Sequence, residues 1–66
     1  MARIVRLKSS RDETIPIFVN PLQVTYIEAT GAKNKNTKIH FSDDHSVTVK
    51  GGAEFISNLV AAAYKG

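Results

Sequence analysis

Sixty-six residues, 42% apolar and 23% charged, with neither cysteine nor tryptophan, describe one small domain over residues 1–66 that has little burial to spare. The missing cysteines exclude a disulfide scaffold, a thiolate zinc site and thiol catalysis, and the apolar content is too high for a disordered tail. A net charge of +3 with a pI near 9.5 raises the question of a nucleic-acid partner, although the excess of positives is small.

Residues 3–50 carry short apolar runs separated by turn residues, the spacing of consecutive strands. In 3–8, Val5 and Leu7 share one side while Arg6 and Lys8 share the other. Residues 9–13 are polar and predict a loop. In 14–19, Ile15, Ile17 and Val19 share a face opposite Pro16 and Phe18; Pro16 has no amide proton, which places this strand at an edge. Asn20-Pro21 then predicts a turn or a short helical turn. Residues 24–30 are rich in β-branched and aromatic side chains and apolar on both sides, which leaves the phase of Tyr26 and Ile27 open.

Residues 31–36 predict a polar, mobile hairpin loop. Residues 37–41 follow with Ile39 and Phe41 opposite Lys38 and His40, then a turn at 42–45, then 46–50 with Val47 and Val49 inward. After Gly51-Gly52 the period changes. Phe55, Ile56, Leu59, Val60 and Ala63 fall on one helical stripe. Glu54 and Lys65 have the signs that the two helix ends favour, with Gly52 as N-cap and Gly66 past the C-terminus.

These pieces predict an α+β fold, a small antiparallel β-meander of four to five strands with one C-terminal helix packed on one face. The covered face is expected to hold Val5, Leu7, Ile15, Ile17, Val19, Ile39, Phe41, Val47 and Val49. Leu59 is expected on the buried stripe, where an aspartate would have no partner and would unfold the domain. The opposite face is expected to show Ile4, Phe18 and either Tyr26 or Ile27, with Arg6, Lys8, Lys38, His40, Thr48 and Lys50 around them.

His40, Asp43, Asp44 and His45 form the one cluster with plausible metal ligands, but their spacing supplies no cage, and neither metal nor cofactor is expected. His40, Ser42 and Asp43 are too close in sequence to assemble a triad. Gly51-Gly52 lacks both the Walker lysine and a Gly-x-Gly-x-x-Gly pattern, and a strand reversing into a helix accounts for it. A catalytic function is therefore not expected. Phe18, Tyr26 and His40 among lysines suggest stacking on single-stranded nucleic acid, against which stands the usual place of such rings in a core or an interface.

From Phe18 onward, the run Phe18-Val19-Asn20-Pro21, then Val24-Thr25-Tyr26-Ile27-Glu28, Thr37-Lys38-Ile39-His40-Phe41, an acidic turn, Ser46-Val47-Thr48-Val49-Lys50 and a closing helix together resemble the small FlbD-type accessory proteins of flagellar operons. The resemblance covers residues 18–66. Asp44-His45 stands where that family commonly has Asp-Gly, and the 11–13 loop is spaced differently. The resemblance implies a small intracellular, non-enzymatic accessory protein and brings no catalytic residues with it.

Two functional expectations follow. The leading one is a non-catalytic, self-associating interaction module, a homodimer or higher, that binds itself or another protein through Ile4, Phe18 and Ile27, and whose role can be regulatory. The alternative is a nucleic-acid-binding regulator that uses Arg3, Arg6, Lys8, Arg11, Lys33, Lys35 and Lys38 on phosphates. With no apolar run of signal-peptide or membrane-span length, a cytoplasmic protein with no membrane partner is expected.

Overall fold

Alternation in the first two strands produces a hairpin. In the computed structural model, which describes residues 2–66, β1 (Val5–Lys8) pairs antiparallel with β2 (Pro16–Val19). Val5 faces Val19 and Leu7 faces Ile17 on the inner side, while Arg6 faces Phe18 and Lys8 faces Pro16 on the outer side. The connecting loop closes on Asp12. Its carboxylate accepts from the Thr14 amide at 2.9 Å and the Thr14 hydroxyl at 2.7 Å, and its carbonyl accepts from the Ile15 amide at 3.0 Å. β2 pairs with β1 alone, so Pro16 sits on an edge strand and its missing donor costs no ladder bond.

The chain then makes one 3-10 turn, Pro21–Gln23, capped by Asn20, whose side-chain oxygen accepts from the Leu22 amide at 3.0 Å. A three-stranded antiparallel meander follows, β3 (Val24–Thr30), β4 (Asn36–Phe41) and β5 (Ser46–Lys50), in the order β3-β4-β5. The two sheets meet where Ser9 bridges to Val49 and the Ser10 amide donates to the Thr48 carbonyl at 3.3 Å. The C-terminal helix α1 (Ala53–Lys65) packs on β1, β3, β4 and the 3-10 turn. Near its end the Ala63 carbonyl accepts from the Arg3 amide at 2.8 Å, which ties the leading segment to the helix. The fold is α+β, with five antiparallel strands in two sheets and one C-terminal helix.

The core consists of Val5, Leu7, Val19, Ile39, Val49, Ile56, Val60 and Ala63, with Ile17, Val24, Ile27, Phe41 and Val47 half-buried against it. Thr37, also fully buried, donates its hydroxyl to the Gly51 carbonyl at 2.8 Å and so enters the core with its polar group satisfied. Gly51 adopts φ +118°, a conformation that side chains rarely take, and a Cβ there would meet the Ile56 side chain at 3.1 Å. Glycine lets β5 turn into α1 at this point. The 31–36 loop is organised by hydrogen bonds of its own, Asn34 amide to Gly31 carbonyl and Lys35 amide to Ala32 carbonyl, with Lys33 and Asn34 both at positive φ.

Three residues expected in the core, Ile15, Phe55 and Leu59, lie outside it, and the phase of β3, left open by its sequence, is settled. Ile15 is 51% exposed, because β2 begins one residue later and Ile15 belongs to the turn that closes on Asp12. Phe55 and Leu59 also leave the core, at 62% and 37% exposure. On a helix of about 100° per residue, Ile56, Val60 and Ala63 span only about 60°, whereas Phe55 lies about 100° from Ile56. The small sheet covers the narrow sector and leaves the flank open, so an aspartate at position 59 reaches solvent. Finally, the phase of β3 is set by a register shift between Val24 and Tyr26. Thr25 occupies the irregularity, so Val24 and Ile27 both face inward and Tyr26 faces outward.

No helix among the described residues is long and apolar enough to cross a membrane.

Candidate interaction surface

Among the described residues eight large hydrophobic side chains are left exposed, Ile4, Ile15, Phe18, Leu22, Tyr26, Phe55, Leu59 and Tyr64, against seven such side chains and Ala63 buried in the core. Of the chain's three phenylalanines and two tyrosines, all but Phe41 belong to that exposed set. Of these rings only Phe55 was expected in the core, and the sheet is too narrow to cover it, whereas Phe18 was expected on the outer face and is found exposed. Their placement defines three surfaces.

The outer face of the β1–β2 hairpin carries Phe18, 64% exposed, opposite Arg6, with Pro16 opposite Lys8 and exposed Ile4 just ahead of β1. Ile4 and Phe18 are thus both available at the surface, as an interface requires. Ile27 is elsewhere: it pairs with Ile39 and packs on the core, and Tyr26 takes the outward position.

On the outer face of the meander, Tyr26 stacks on His40 with centroids 4.0 Å apart and rings 10° from parallel, and His40 Nε2 lies 2.7 Å from Glu28 Oε1. Cross-strand pairing places Tyr26 opposite His40 and Glu28 opposite Lys38. The sequence pattern put His40 with the acidic turn, but its carboxylate is Glu28 on the neighbouring strand, a partner visible only once the register is known. His45 has its own carboxylate, with Nδ1 2.8 Å from Asp43 Oδ2. This bond, with the Asp43 charge, raises the His45 pKa above the ordinary histidine value, and the same contact with the His45 amide lowers that of Asp43. The two histidines belong to separate pairs, and no three metal-ligating side chains converge among the described residues.

The third surface is a groove of about 420 Å³ between the β1 edge and the start of α1. Leu7, Phe55, Ile56 and Leu59 form its apolar lining, and Arg6, Lys8, Lys50 and Glu13 its charged rim. Glu13 pairs with Lys50 at 2.9 Å, which lowers the Glu13 pKa. Arg6 and Lys8 form no ion pair among the described residues. A second, smaller depression of about 370 Å³ opens across the Ser9–Val49 seam, with Arg11 among its lining residues.

The two basic clusters of the sequence come close together around the end of β5. Lys8 precedes the residue that bridges to Val49, Lys50 follows Val49, and the Gly51 amide donates to the Lys35 carbonyl at 3.0 Å. Arg6, Lys8, Lys35 and Lys50 therefore surround one end of the meander, while Lys38 lies on its outer face opposite Thr48. Arg3 is bound through its backbone to the far end of α1, and Lys33 sits at the tip of the 31–36 loop. Phe55 and Leu59, which line the groove, were missed as surface residues in the sequence, and Lys50, expected at the surface, was not counted with the basic clusters; the breadth of the apolar stripe on a short helix was the available signal for the first two. No protein-family model, curated protein or solved structure matches this chain.

Proposed function

We propose that this protein is a non-catalytic interaction module that works by self-association. The observation that supports it is the surface placement of Phe18, Tyr26, Phe55 and Tyr64 in a fold whose core holds no aromatic ring buried to completion. An aromatic side chain brings roughly 150–250 Å² to a contact, and at about 25 cal/mol per Å² several of them are worth more than one small core can forgo. The reading extends to a cytoplasmic accessory role, regulatory in character, of the kind the likeness to FlbD-type proteins implies. A melting temperature that climbs with protein concentration is the expected result, because a partner that binds only the folded chain stabilises it by mass action. A concentration-independent transition overturns the reading.

A second reading, a nucleic-acid-binding regulator, is favoured by one observation: the fold gathers Arg6, Lys8, Lys35 and Lys50 from both basic clusters around the same end of the meander. Exposed Tyr26, with Lys38 on the same face, would add a ring for a base to stack on. Binding of mixed-sequence DNA or RNA that falls steeply between about 50 and 200 mM salt supports it. Absence of any mobility shift at the lower salt removes it.

A further inference from the structure

We infer that copies of this chain associate head to tail, the acidic end of one seated in the groove of the next. The inference rests on the self-association reading and specifies its surfaces. At the turn end, Ser42 is fastened to the 3-10 turn by two bonds: its amide donates to the Gln23 carbonyl at 2.8 Å and its hydroxyl to Gln23 Oε1 at 2.6 Å. Leu22 and Asp43 each stand one residue from this joint. The result is a fixed knob with exposed Leu22 at 61% accessibility beside the exposed carboxylates of Asp43 and Asp44. Asp43 is engaged by His45, whereas Asp44 forms no ion pair among the described residues.

The groove has the opposite character. It offers an apolar floor with Phe55 and Leu59, and on its rim, beside the Glu13–Lys50 pair, the cations Arg6 and Lys8, which form no ion pair among the described residues. Gly52, the N-cap of α1, contributes no side-chain bond to the first helical amides, so the positive end of the helix adds to the field there. Knob and groove lie at opposite ends of β5, with the turn ahead of Ser46 and the groove beside Lys50. Four steps of strand rise separate these residues by about 14 Å, too far for one chain to satisfy its own unmatched charges.

Each copy therefore carries both halves of a complementary pair facing away from each other. Such a contact is heterologous: it repeats as a ring or a filament, and does not stop at a two-fold dimer. The two-fold patch expected around Ile4 and Phe18 is a different surface, on the outer face of the hairpin.

The test uses two full-length variants, each of which disables one half. Leu22→Lys puts a cation on the knob, and Phe55→Glu puts a carboxylate in the groove; both positions are exposed, and far-ultraviolet circular dichroism checks that each variant folds. Lys8→Glu serves as a second groove variant. By sedimentation velocity, each variant alone is expected at the monomer mass of 7.2 kDa, at concentrations where the unaltered chain is larger. An equimolar mixture of Leu22→Lys and Phe55→Glu is expected to associate again, to twice that mass or more, because each mixed pair has one intact knob and one intact groove and the two altered surfaces carry opposite charges. Added salt is expected to return the unaltered chain toward monomer. If the unaltered chain associates and the variants associate equally well, or their mixture stays monomeric, the head-to-tail contact is overturned while self-association stands. If the unaltered chain is monomeric at every concentration, both fall.

Discussion

Truncating Ile56 and Leu59 separately measures which part of the helix holds the fold. Ile56 is 1% exposed and its Cδ1 lies against Gly51, whereas Leu59 is 37% exposed on the groove flank. Ile56→Ala removes three carbons, about 2.4 kcal/mol at about 0.8 kcal/mol each. With a cavity that packed neighbours cannot refill, the cost rises to about 3–4 kcal/mol. A chain of this length has a total stability of only about 3–10 kcal/mol. Leu59→Ala leaves no closed cavity, because the groove is already open to water, and costs about 1–1.5 kcal/mol. At about 4–8 °C per kcal/mol, the melting temperature falls by about 15–25 °C for the first and about 5–10 °C for the second. Urea unfolding followed by circular dichroism, at low micromolar protein so that association does not contribute, reads both values. Equal losses at the two positions would refute the assignment of Leu59 to the surface and, with it, the groove.

Two further outcomes test other parts of the structure. Gly51→Ala is expected to cost about 1–3 kcal/mol because its backbone conformation is open almost solely to glycine, while Gly52→Ser, at φ −68° with nothing within 4 Å of its Cβ position, is expected to gain a few tenths of a kcal/mol by capping α1; paired thermal melts check the opposite signs. In an NMR titration His45 is expected to titrate above about 6.5, and Asp43→Asn to return it toward that value. Because the folded His45 pKa is raised, its contribution is fully present below the unfolded value and lost as pH rises through the raised one; because that of Asp43 is lowered, its contribution is lost as pH falls through the lowered value.

Most of the fold was legible because it depends on local periodicity. Arg6 and Lys8 alternate with Val5 and Leu7 whatever the tertiary context, and Asn20-Pro21 nucleates its turn through a side chain two residues away. The phase of β3 was not legible, since apolar residues on both sides leave it to the irregularity at Thr25. Nor was the true width of the buried helix sector. A stripe from Phe55 to Val60 is compatible with burial, and only the size of the opposing sheet decides that Phe55 and Leu59 stay outside. The candidate surfaces suffer most from this, because both the groove and the Tyr26–His40–Glu28 cluster depend on pairings between residues far apart in sequence. Glu28 and His40 are joined by cross-strand register, and Lys8 reaches Lys50 through the Ser9–Val49 bridge.

The central claim, that this chain is built to associate with itself, is tested most directly by its mass in solution across a wide concentration series. Sedimentation equilibrium on the unaltered protein is expected to give a weight-average mass near 7.2 kDa at high dilution, rising to a multiple of that value as concentration increases. A single mass of 7.2 kDa from micromolar to near-millimolar protein would contradict the claim.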